Sequence, residues 1–149
     1  MSLRFNSIYG FVIGMALIAY FIFMRIFNLE TFVELRFLNL LIVLGGMYWM
    51  YHNMYTKQPG RHTYFKGIAS GVQAVLIATL MLVVFLQVFM YFSPDFIHAI
   101  NERGLWGQEM NVVTMGFVIG FEGFFSGFLL SYLMMQLFKP YTKSAVFHT

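Results

Sequence analysis

The chain contains no cysteine. That excludes a disulfide frame, a thiolate metal site and a cysteine nucleophile. Charge is scarce as well: Asp, Glu, Lys and Arg supply 10% of the residues, well below the roughly 25% of soluble domains. The four histidines (His52, His62, His98 and His148) all fall at or beyond the ends of apolar runs. Facing mid-span histidines, the pattern for haem ligation, are therefore missing, and so is any His-x-x-x-His spacing. No Ser-His-Asp set falls on one face, and neither a phosphate-cradling glycine loop nor a CxxC occurs. No enzyme chemistry and no cofactor are expected. The net charge of +3 is too small for a nucleic-acid patch and reads better as an orientation signal.

What the chain has in excess is apolar length. Hydrophobic residues make up 60% of it and aromatics 20%, which places it in the membrane class. Four runs are long enough to span a bilayer: about 8–27, 36–55, 67–92 and 111–138. The first is too long for a cleavable leader and lacks a small-x-small site after it. The expected fold is therefore all-α, one membrane domain over 1–149 with four transmembrane helices. A short surface helix is expected between the third and fourth. There Ser93, Pro94 and Asp95 give an N-terminal signature, and Trp106 offers an interfacial anchor. Tyr48, Trp49, Tyr51 and Tyr55 read as an interfacial aromatic belt closing the second span.

Residues 111–138 organise the reading. Gly116, Gly120, Gly123 and Gly127 recur at steps of 4, 3 and 4, so they form one stripe along a helix. Such a stripe lets another helix approach closely. Gly10 with Gly14, and Gly67 with Gly71, form GxxxG pairs of the same kind. The pentapeptide Gly10-Phe-Val-Ile-Gly14 recurs as Gly116-Phe-Val-Ile-Gly120. Two helices needing the same packing seam explain that better than an inverted repeat does.

The same stretch holds Glu122, the one acid inside any apolar run. A charge at mid-bilayer costs about 2.5 kcal/mol or more, so the group is expected to be protonated, paired or facing water. Counted from the span centres, Tyr20 and Thr79 fall near its depth, and Asn39 and Gln87 lie within about two turns. Ser126 shares its helix face. These six residues are the candidate intramembrane polar site. Its functional reading is a proton- or cation-responsive group or a contact to another subunit. Its structural reading is a neutral Glu bonded to Ser126, Tyr20 or a backbone carbonyl. Gln73 and Gln87, fourteen residues apart and on one face, read as interhelical hydrogen-bond partners.

Arg4, Lys57, Arg61, Lys66, Lys139 and Lys143 fall on one side of the four spans. Arg25, Arg36 and Arg103 fall on the other, with five of the six acids. The expected location is a bacterial inner membrane with both termini cytoplasmic.

Several short motifs resemble an uncharacterised family of small bacterial four-helix membrane proteins, a domain of unknown function. They are Tyr9-Gly10 with Gly14, Gly45-Gly46, Tyr64-Phe65-Lys66-Gly67 with Gly71, Ser93-Pro94-Asp95-Phe96, and the lysine-tipped tail. The chain departs from that pattern in a shorter, less acidic loop before the fourth span, and Glu122 has no counterpart there. The resemblance implies four spanning helices and carries over no activity or site. The function expected from the residues is a non-enzymatic accessory or scaffold subunit of a larger membrane complex. Its partners would be lipids and other membrane subunits or further copies of itself. The alternative is a small oligomeric proton- or cation-coupled transporter or channel using Glu122.

Overall fold

A computed structural model of the chain describes residues 3–27, 36–56, 63–93 and 111–142. All elements in it are helical. Helix α1 spans Leu3–Ile26, α2 Arg36–Tyr51, α3 Tyr64–Phe92 and α4 Val112–Phe138. A π turn, His52–Thr56, prolongs α2, and a 3-10 turn, Lys139–Tyr141, prolongs α4. In a bilayer a helix satisfies its own backbone polar groups, which is why such uninterrupted apolar runs take this form. Asn111 caps α4, its side chain accepting from the Thr114 N–H at 2.8 Å.

Among the described residues, three helical stretches are long and apolar enough to cross a membrane: Phe5–Ile26, Tyr64–Phe92 and Val112–Tyr141. The second expected span is shorter. Helix α2 has 16 residues, about 24 Å at 1.5 Å per residue, against ~30 Å of hydrocarbon. Its remaining length is the π turn. The surface helix expected after the third span lies outside the described residues. Ser93 itself closes α3, its N–H bonding to the Met90 carbonyl at 3.3 Å.

Helix α3 sits between α1 and α4 and makes its main contacts with those two. The glycines fix the register. Along α4, Gly116 meets Gln87, Gly120 faces Val83, Gly123 meets Thr79 and Gly127 meets Val75. These paired numbers add to 202 or 203, so α3 and α4 run antiparallel. Farther along the same seam the roles reverse: Gly71 of α3 meets Ser131, and Gly67 meets Met135. Gly10 lies against Ala74 and Ile77, and Gly14 against Ala78 and Met81. The constant offsets of 64 and 67 make α1 and α3 parallel.

Two apolar clusters stack along the bundle. The larger draws on all four helices: Ile13 and Leu17, Met47, Met50, Tyr51 and Met54, Ala74, Val75 and Ala78, and Leu130, Met135 and Phe138. The smaller has Leu86, Met90 and Met115 at its centre, with Phe21, Phe85, Phe89 and Ile119 packed around them. No α2 residue belongs to it. The bundle thus has a tyrosine half, where α1 and α3 begin, and a phenylalanine half, where they end.

Candidate functional site

The tyrosine half is cross-linked by polar side chains. Asn6 donates to Gln73 at 2.8 Å, joining α1 to α3. Asn53 donates to the Tyr9 hydroxyl at 2.9 Å, joining the end of α2 to α1. Tyr51 and Tyr55 donate to the carbonyls of Gly67 and Thr63 at 3.0 and 3.1 Å. Gln136 donates to the Tyr64 hydroxyl at 2.8 Å. Phe138 stands amid the rings of Tyr48, Tyr51, Tyr55 and Tyr141, with centroids 5.7–6.3 Å away.

The expected aromatic belt is therefore split. Tyr48 and Trp49 are exposed, as an interfacial pair should be. Tyr51 and Tyr55 are fully buried. Gly67 and Gly71 make room for their hydroxyls against α3. Sequence spacing alone could have flagged this: Tyr51 and Tyr55 are one turn apart, as are the two glycines opposite. Gln73 pairs across helices as read from the sequence, while its partner Asn6 was missed because it lies ahead of the first apolar run.

The sequence-derived polar candidates are not brought together: Ser126 lies level with the larger cluster, Thr79 and Glu122 at the boundary between the halves, and Gln87 in the phenylalanine half. Thr79 is buried against Gly123. Gln87 lies over Gly116. Both line an otherwise apolar groove of ≈ 360 Å³ between α3 and α4, floored by Gly116 and Gly120 and walled by Leu80, Phe117, Phe121 and Phe124. Tyr20 is half-buried on α1, Asn39 half-buried on α2 and Ser126 half-buried on α4.

Glu122 is exposed. It has no hydrogen bond or ion pair among the described residues. It does not line the groove. At 100° per residue it falls on the opposite flank of the glycine stripe from Phe117, Phe121 and Phe124. Carrying the register across, Glu122 stands level with residue 80 of α3 and with residues 13–16 of α1. Gly46 meets Ile13, so Gly45 of α2 is at about that depth too, and a Cβ on Gly45 would meet nothing within 4 Å. Arg25, nine or more residues away along this register, lies over the Phe89 ring at 5.7 Å.

The glycines differ in what they do. A Cβ at Gly10 would fall 2.6 Å from the Ala74 carbonyl oxygen, a backbone atom that cannot step aside. One at Gly123 would press on Thr79 at 2.5 Å, whereas one at Gly120 would have only Val83 at 3.9 Å. Gly120 therefore opens the groove rather than closing a seam. Among the described residues no group of three or more His, Asp or Glu is placed to hold a metal ion.

No family model, no curated protein and no solved structure matches the chain.

Proposed function

We propose that this protein is a non-enzymatic accessory subunit of a larger membrane assembly. Its place is a bacterial inner membrane, with both termini cytoplasmic and α2, extended by its π turn, counted as a fourth span. One observation carries the reading: the mid-span acid is turned outward, away from the bundle interior. Inside the bundle, a buried Glu would have served structure or an internal path. Outside it, in hydrocarbon, a carboxyl that is to stay ionised needs a partner group that another molecule brings. The splayed first half of α2 supports the same reading, since Phe37 and Leu41 are 70% and 62% exposed. Surface of this kind, rich in phenylalanine and open at Gly45, is available for a further helix.

Extraction in mild detergent followed by native gels and mass spectrometry tests this. A large band with other membrane proteins is the expected result. A lone homo-oligomer would contradict it. The alternative, an oligomeric transporter or channel, draws on the same outward acid, which only a path between copies could use. It requires pH-dependent flux in proteoliposomes that Glu122→Gln abolishes without changing assembly. Unchanged flux removes it.

A further inference from the structure

We infer that the Glu122 flank of α4 docks a transmembrane helix of a different protein, one that carries a lysine or arginine at mid-span. The inference rests on the accessory-subunit reading and names the partner's chemistry.

Position comes first. Helix α4 runs over 27 residues, and Glu122 lies three residues from its middle, about 4.5 Å along the axis. Water and lipid headgroups are far from that depth. Its exposed neighbours one or two turns away are Phe125 and Leu129, at 59% and 60%. The half-buried Ser126, one turn along, gives an incoming helix a small residue to close upon. The face is thus an apolar helix surface with one carboxyl at its centre.

Charge then selects the occupant. This chain cannot supply the counter-charge from its described cations. Level with Glu122, α1 is at residues 13–16 and α3 at residue 80. By the same register Arg36 is seven or more residues off that level, Arg4 and Arg25 nine or more, Lys66 fourteen and Lys139 seventeen. Seven residues are about 10 Å of depth. A second copy in the same orientation has its cations at those same wrong depths. A two-fold axis along the membrane normal would set Glu122 against its own duplicate, acid against acid. A helix with a mid-span Lys or Arg instead pairs the carboxyl in a low-dielectric setting, where polar partners have few competitors. The groove on the opposite flank is a different surface. Its lining is almost wholly apolar, so it suits a lipid chain.

The test uses the full-length protein in phosphatidylcholine vesicles and four labelled leucine-rich transmembrane peptides. One carries Lys at its centre, one Glu at its centre, one only Leu, and one Lys displaced by three turns. Energy transfer from peptide to protein reads association. Interhelical polar contacts contribute about 1–2 kcal/mol, so the centred-Lys peptide is expected to bind about tenfold tighter than the Leu peptide. Glu122→Gln and Glu122→Leu should each abolish that preference, and displaced Lys should bind like Leu. Unchanged far-UV circular dichroism would show both variants folded. Equal binding of all peptides would overturn the inference. So would a preference for the Glu peptide, or self-association lost on Glu122→Gln, either of which would make the face an acid–acid contact between copies. The two readings fail separately. Wild type that extracts alone defeats the accessory-subunit reading, whereas native partners that stay bound to both variants defeat only the role of Glu122.

Discussion

The two halves of this bundle are built on different terms. In the tyrosine half four helices converge, their polar side chains bond across the gaps, and Met47, Met50, Tyr51 and Tyr55 have almost no exposed surface. In the phenylalanine half three helices share a small core, α2 stands off, and Gln87 looks into an open groove. The difference teaches where the chain holds itself together and where its described residues leave apolar surface uncovered. Lipid tails are as apolar as leucine, so burial alone gives no drive to close the second half. Close packing and hydrogen bonds give that drive, and the chain concentrates both at one end.

The largest effect should follow from attacking the best-packed approach. Gly10→Leu drives a side chain into the Ala74 carbonyl and Ile77. It should destabilise the bundle by about 3 kcal/mol, the upper range for overpacking, measured by circular dichroism in a denaturing-detergent titration. Loss of a polar cross-link should matter less. Gln73→Leu removes the Asn6 bond and leaves the buried Asn6 without its described partner. A loss of about 1 kcal/mol is expected, and Gln87→Leu on the open half should cost clearly less in the same titration. If the two glutamine variants are equally damaging, the contrast between halves is wrong.

Smaller still is the effect of filling space that is already empty. Gly45→Ala adds a methyl group that touches nothing. Helix propensity then favours the variant by up to about 1 kcal/mol, partly offset by any loss of partner contact. Gly120→Ala should gain a similar amount by the same propensity, since its nearest neighbour is 3.9 Å away. Glu122→Gln should leave the fold unchanged, because no described residue bonds to that carboxyl. Its effect should appear only in association.

Much of this contrast was legible in the chain. Long apolar runs specified helices, and glycine spacing specified their seams, because both follow from a single periodicity of 3.6 residues. The helix at Val112–Phe138 and the stripe facing α3 are read directly from residues 111–138. What spacing could not specify was direction in three dimensions. Glu122 and Thr79 are nearly level in depth, yet Thr79 of α3 meets the glycine stripe of α4 while Glu122 points away from it, and depth counting alone brings them together. Tyr51 and Tyr55 have the composition of a belt, and the matching one-turn spacing of Gly67 and Gly71 was the available mark of their burial. The π turn over His52–Thr56 has no clear mark in the residues either.

The central claim is that another protein packs along the Glu122 flank of α4, near the boundary between the two halves. Photocrosslinking in the native membrane tests it most directly, with a photoreactive residue at Phe125 in one variant and at Ile8 in the other. The two sites are almost equally exposed, at 59% and 61%, so lipid access alone predicts equal outcomes. The account predicts a discrete protein adduct from position 125 and only lipid adducts from position 8. Lipid adducts alone from both positions, or the same protein adduct from both, would contradict it.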